Sequence, residues 1–107
     1  MAEKYLRAHR YTILERNYRC PLGEVDLIAL DRSVVVFVEV KARTGETTGS
    51  PFEAVDRRKQ RQLVRVANYY LSRHRLHGRD ARFDVVGVWL EQGALRCELV
   101  RNAFDVA

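Results

Sequence analysis

Two short stretches, Gly23-Glu24-Val25-Asp26 and Glu39-Val40-Lys41, set acids and a lysine inside segments that otherwise have the apolar character of β-strand core. Such residues are rarely buried in a strand unless something pairs with them. A fold that uses these segments as strands must therefore supply a partner. An opposed cationic side chain is one solution, and a bound divalent metal is another.

The spacing defines how the two stretches meet. Glu24–Leu30 reads as one strand, Asp31-Arg32-Ser33 as a hairpin closure, and Val34–Lys41 as the next strand, dense in valine. Alternation puts Glu24, Asp26, Ile28 and Leu30 on one face, and Val35, Phe37, Glu39 and Lys41 on one face of its neighbour. A two-residue loop at Arg32-Ser33 pairs Asp31 with Val34. That register sets Asp26 opposite Glu39, Glu24 opposite Lys41, and Ile28 opposite Phe37. Directly opposed like charges destabilise a sheet, and a close carboxylate pair raises one pKa or calls for a cation. A hard ion such as Mg²⁺ accepts carboxylate and carbonyl oxygens while keeping waters, and the Val40 carbonyl is an available extra ligand. Lys41, one alternation beyond Glu39, could orient a water or meet charge developing on a phosphate. The same residues also fit an ion-paired, half-exposed hairpin face, with Glu24 bridged to Lys41.

The remaining pattern predicts one α/β domain over residues 1–107, with a mixed sheet flanked by helices in the order α-β-β-β-α-β-β. Ala2–His9 reads as helix, Tyr11–Arg19 as the first strand, and Pro21-Leu22-Gly23 as a turn. Thr44–Ser50 is a polar loop, and Ser50-Pro51 with Glu53 has the form of a capping box opening a helix from Phe52 to about His74. His77-Gly78 marks its stop. Phe83–Leu90 and Ala94–Val100 complete the strands across a Glu91-Gln92-Gly93 turn.

The chain carries a formal net charge of +5, and its distribution matters more than its total. From Arg57 to Arg79 there are eight Lys or Arg and no Asp or Glu, which leaves a net −3 on the rest. No acid relieves the repulsion on that helix. Clustered cations of one sign follow phosphates, so Arg57, Arg58, Lys59, Arg61 and Arg65, with Arg43 just beyond Lys41, are candidates to contact nucleic acid. A solvated helix face is the plainer alternative. Gln60 or Gln62 could orient a nucleotide or a water. His74-x-x-His77 lacks Cys or acidic company and is expected at the surface, while Asp84, Trp89 and the Tyr69-Tyr70 pair are expected to be structural. Cys20 and Cys97 form no CxxC pair, which argues against structural zinc and fits free thiols in a reducing cytoplasm; a disulfide is left open. No apolar run approaches the length of a membrane helix, and no signal-type h-region follows Met1, so a cytoplasmic protein is expected.

At this point a resemblance can be named. Gly23-Glu24-x-Asp26 followed by Glu39-Val40-Lys41 resembles the PD-(D/E)xK nuclease signature of restriction endonucleases and Holliday-junction resolvases. Asn17-Tyr-Arg, Gly23–Ala29, Val36–Arg43, Gly49-Ser-Pro, Ala54-Val55, Arg58-Lys59 and Phe83–Val86 together resemble the bacterial YraN-like family of predicted endonucleases, over nearly the whole chain. The resemblance implies a restriction endonuclease-like fold and hydrolysis of phosphodiester bonds with Mg²⁺ or Mn²⁺. Asp26 and Glu39 would be metal ligands, Lys41 the catalytic lysine, and Glu24 an auxiliary acid. Similar proteins carry a further Gly-Glu pair whose Glu aligns ahead of Met1, so this chain is expected to lack it. The substrate implied is DNA in preference to RNA, in or beside branched structures, with a homodimer left open. A nucleic-acid-binding or adaptor module on the same fold, without catalysis, is the alternative.

Overall fold

The computed structural model describes residues 2–44, 55–76 and 78–104. Helix α1 (Ala2–Ala8) is followed by β1 (Thr12–Cys20), β2 (Gly23–Asp31) and β3 (Val34–Thr44), then by α2 (Arg57–Arg73), β4 (Ala81–Glu91) and β5 (Ala94–Phe104). The domain is α/β, and the five strands form one mixed sheet in chain order, flanked by the helices. Every neighbouring pair is antiparallel except β3 and β4, which are parallel and joined through α2. That exception follows from geometry, since a parallel pair needs a crossover whereas a hairpin needs only a tight turn.

Both faces of the sheet are covered, which explains why β3 begins Val34-Val35-Val36-Phe37-Val38 without polar interruption. Val35 and Phe37 pack with Leu63, Val66, Ala67 and Tyr70 of α2, while Val36 and Val38 pack with Ala2 and Leu6 of α1. The β2–β3 hairpin closes through Arg32-Ser33 with Asp31 opposite Val34 and Ile28 opposite Phe37. This is the register that a two-residue loop dictates.

Two expectations need correction. The first concerns α2, which begins at Arg57 rather than near Phe52. Asp56 is the N-cap: its backbone is extended (φ −74°, ψ 174°) and its carboxylate accepts the Lys59 N–H at 2.8 Å. Val55 is buried, but it precedes the helix. The proposed Ser50-Pro51 cap and Glu53 lie outside the described residues, as does His77. The helix stops at Arg73, where the Leu76 N–H donates to the Leu71 carbonyl at 2.8 Å and the Arg75 N–H to that of Ser72 at 3.2 Å. Arg75, at φ 55°, takes the left-handed position that glycine usually fills, so the stop precedes Gly78.

The second concerns β2, which does not alternate strictly. Val25 packs on the α2 side with Ile28, whereas Leu27 and Ala29 pack on the α1 side. The step falls at Asp26, opposite the gap between the pairs Arg16↔Leu27 and Tyr18↔Val25. Asn17 fills that gap with φ 50°, a conformation asparagine tolerates better than most residues.

On the α1 side Asp84 is buried within a closed polar network. It accepts from the Tyr11 hydroxyl at 2.6 Å, from Arg82 Nε at 2.9 Å and from the Asn102 N–H at 2.9 Å. Arg82 also donates to Asp31 at 2.8 Å. Burial opposes the Arg82 cation, yet its hydrogen bonds to Asp84 and Asp31 raise its pKa further. Cys20 packs against the α2-side cluster and Cys97 against the α1-side cluster, and both are free thiols. Among the described residues no helix is long and apolar enough to cross a membrane.

Replacing Asp56 by Ala removes the acceptor for a first-turn N–H of α2, and we expect it to lower unfolding free energy by about 1 kcal/mol. Urea denaturation followed by circular dichroism measures this; an unchanged midpoint would show that Asp56 does not cap the helix.

Candidate functional site

The β2–β3 ladder runs from Asp31↔Val34 to Leu27↔Val38. One residue further, Asp26 and Glu39 take up side-chain bonds across the strands. The Asp26 N–H donates to Glu39 Oε1 at 3.4 Å, and the Val40 N–H donates to Asp26 Oδ2 at 2.8 Å. The two carboxylates are thus interleaved with backbone where the strands part. A strand residue presents N–H and C=O to the same neighbour, so the Val40 carbonyl also faces this opening.

Glu39 is 4% exposed. Burial, followed by the charge of Asp26, pushes its pKa up to about 7 against the pull of Lys59 and Lys41. Those lysines approach from two elements. Lys41 Nζ lies 3.9 Å from Glu39 Oε2 along β3, and Lys59 Nζ lies 4.0 Å from the same oxygen, reaching down from the first turn of α2. Lys59 is steadied by Gln62 Oε1 at 3.1 Å and by the Glu24 carbonyl at 3.5 Å. Gly23 is what lets Gln62 approach: a Cβ there would lie 2.7 Å from Gln62 Nε2, and its φ of 143° is itself unfavourable for other residues.

The structure brings together Asp26, Glu39 and Lys41, and it adds Lys59. It leaves the Glu24 carboxylate out. That group is exposed and pairs with Arg19 Nε at 3.0 Å, so the expected opposition of Glu24 to Lys41 is replaced by a bond to the neighbouring edge strand. The irregular step at Asp26 is the physical reason, because it breaks the alternation that the expectation assumed. Among the described residues no three His, Cys, Asp or Glu side chains converge on a metal-sized space. A cation here would rest on two carboxylates, with the Val40 carbonyl, waters and substrate oxygens completing its shell, which is a donor set that suits Mg²⁺.

Of the basic residues, Arg57, Arg58, Arg61 and Arg65 are exposed on α2, and the Arg43 side chain lies outside the described residues. Arg58, Lys59, Gln62 and Arg65 line a cavity of about 340 Å³ beside Asp56. A second cavity of about 340 Å³, between Arg19, Gly23 and Glu24, shares Lys59 and Gln62 with it. The two cavities therefore adjoin along α2, and Lys59, which lines both, is the residue that links them to Glu39. The membership of Lys59 in the site went unrecognised in the sequence, where it read as one more backbone-gripping cation. Its signal is positional: it lies four residues before Leu63, on the apolar stripe that continues through Val66, Ala67 and Tyr70.

The architecture thus defines an α/β domain with a buried glutamate, a half-buried aspartate beside it and two lysines at the end of a strand hairpin. The chain belongs to the family described as "Uncharacterised protein family UPF0102", whose profile matches residues 1–88. Among its relatives, a UPF0102 protein of Moorella thermoacetica is 50% identical over 96 residues, covering 88% of this chain and 80% of the relative. One from Syntrophus aciditrophicus is 46% identical over 107 residues, covering 100% of this chain and 84% of the relative. One from Clostridium acetobutylicum is 44% identical over 107 residues, covering 98% and 88%.

Because the folded-state pKa of Glu39 lies above the ordinary value of 4.5, its ionisation costs stability. That cost is absent below about pH 4.5, grows as pH rises, and is complete above about pH 7. In EDTA, Glu39→Gln should therefore be more stable than the parent at pH 8, by on the order of 2 kcal/mol, and nearly equal to it at pH 4.5. Denaturant midpoints at the two pH values test this; a variant less stable than the parent at pH 8 contradicts the assignment.

Proposed function

We propose that the chain is a metal-dependent phosphodiesterase of the PD-(D/E)xK type, with a restriction endonuclease-like fold, acting on DNA. The observation that carries this reading is the opening between β2 and β3: a buried carboxylate crowded by a second one, with two lysine ammoniums 3.9 and 4.0 Å away, one of which, Lys59, also lines the basic cavities along α2. A bound Mg²⁺ or Mn²⁺ would supply Lewis acidity and a water of lowered pKa. Asp26 and Glu39 would hold the ion, aided by the Val40 carbonyl. Lys41 would orient the attacking water, and Lys59 would hold a non-bridging phosphate oxygen. Arg58 and Arg65, which line the cavity beside Asp56, would fix the strand's backbone, with Arg57, Arg61 and Arg43 extending the contact. Glu24 would act indirectly, through its carbonyl on Lys59.

A second reading is a nucleic-acid-binding or adaptor module without catalysis. It is favoured by the bond from the Val40 N–H that engages Asp26 and by the diversion of the Glu24 carboxylate to Arg19, which leaves only Asp26 and Glu39 at the opening among the described residues.

Branched and linear DNA incubated with Mn²⁺, Mg²⁺ or EDTA separates the two readings. We expect metal-dependent cleavage that falls by about a hundredfold or more in Glu39→Ala and Lys41→Ala, the scale of losing a group that acts on transition-state charge. Cleavage that is equal in the variants, or absent with every metal, would sink the enzyme reading. Retained, salt-sensitive binding without cleavage would establish the second.

A further inference from the structure

The cavities along α2 continue away from Lys59 into a feature that phosphate binding alone does not require. Beyond Arg65, along α2, lies a third cavity of about 490 Å³ lined by Leu22, Arg65, Asn68, Tyr69, Ser72 and Arg73. It shares Arg65 with the cavity beside Lys59, so it adjoins the phosphate path directly. Its lining is mixed in an informative way. Leu22, in the turn between β1 and β2, is 43% exposed, one of two large apolar side chains exposed among the described residues, the other being Leu95 in β5. Tyr69 is half-buried, and the Arg73 guanidinium lies 5.3 Å from its ring centre. Asn68 and Ser72 are exposed on the same helix, one turn apart, and offer hydrogen-bonding groups at the rim.

This combination matches the chemistry of a single nucleotide. A nucleobase has apolar faces and polar edges, and it is tethered to an anionic phosphate. Leu22 and Tyr69 offer an apolar wedge and a stacking surface, the planar Arg73 group extends the stack, Asn68 and Ser72 address a base edge, and Arg65 meets a phosphate. Base–aromatic stacking with flanking cations is how single strands are held with little regard to sequence. A base inside a duplex has both faces occupied by its neighbours and cannot enter.

We propose that this cavity is a subsite for an unpaired nucleobase, so that the cavities along α2 take a DNA single strand, or a strand unpaired beside the acid pair, in preference to continuous duplex. The proposal rests on the nucleic-acid reading above and adds the substrate class. Leu22 and Tyr69 determine specificity and take no part in bond breaking.

Fluorescence anisotropy in EDTA at low salt tests it, with labelled oligothymidylate, the same oligomer carrying abasic spacers, and a blunt duplex. The parent protein should bind the oligothymidylate more tightly than the duplex or the abasic strand. Tyr69→Ala and Leu22→Ala should weaken oligothymidylate binding by about fivefold to a hundredfold, the range of one base–aromatic stack, while duplex binding stays unchanged. Tyr69→Phe should retain it. The abasic comparison needs no variant and so does not depend on how the substitutions fold. Equal binding of the abasic and base-bearing strands, with Arg65→Ala weakening both, would overturn the subsite and leave the basic cavities standing. No binding of any of the three would overturn both the subsite and the nucleic-acid reading.

Discussion

Asp26 and Glu39 occupy the point where β2 and β3 stop pairing, and the surroundings follow from the cost of keeping two carboxylates there. The ladder below them is apolar and continuous as far as Leu27↔Val38, which buries Glu39. The backbone N–H groups of Asp26 and Val40, released from the ladder, turn to the carboxylates. Lys41 follows on β3, and α2 is docked so that Lys59 enters from above. The absent side chain of Gly23 leaves the space that the Gln62 side chain occupies beside Lys59.

The two buried acids among the described residues make an instructive contrast. Asp84 is met by a tyrosine hydroxyl, an arginine and a backbone N–H at 2.6 to 2.9 Å, so its network is closed and rigid. Glu39 has a backbone donor at 3.4 Å and ammoniums at 3.9 and 4.0 Å, and its pKa is driven up to about 7. A satisfied acid holds a fold together. An under-compensated one, its pKa raised by burial and a neighbouring carboxylate, is a candidate functional group.

The sequence made the hairpin register readable because two constraints coincided: a two-residue loop at Arg32-Ser33 and a valine-rich β3 that must face two cores. Asp26, Glu39 and Lys41 could be brought together on that basis. The fate of Glu24 was not legible, since it turns on a break in alternation at Asp26 opposite the left-handed Asn17, and strand periodicity carries no sign of that. The start of α2 at Arg57 was not legible because Ser50-Pro51-x-Glu53 has the form of a helix opening, whereas the cap that α2 uses is the Asp56 carboxylate on the Lys59 N–H. Lys59 was legible in kind but not in place: its side chain is long enough to leave the helix surface and follow the apolar stripe inward. The Tyr11–Asp84–Arg82 network joins residues more than 70 positions apart, a relation no local pattern reveals.

The proposed function requires that the Asp26–Glu39 opening bind a divalent cation. Titrating ¹⁵N-labelled protein with Mn²⁺ at pH 8 and following amide signals tests it most directly, because paramagnetic broadening falls steeply with distance from the ion. The expected result is selective loss of the Asp26, Glu39, Val40 and Lys41 amide signals at low Mn²⁺, reversed by EDTA and absent in Glu39→Gln. Broadening spread over unrelated surface acids, or unchanged in Glu39→Gln, would contradict it.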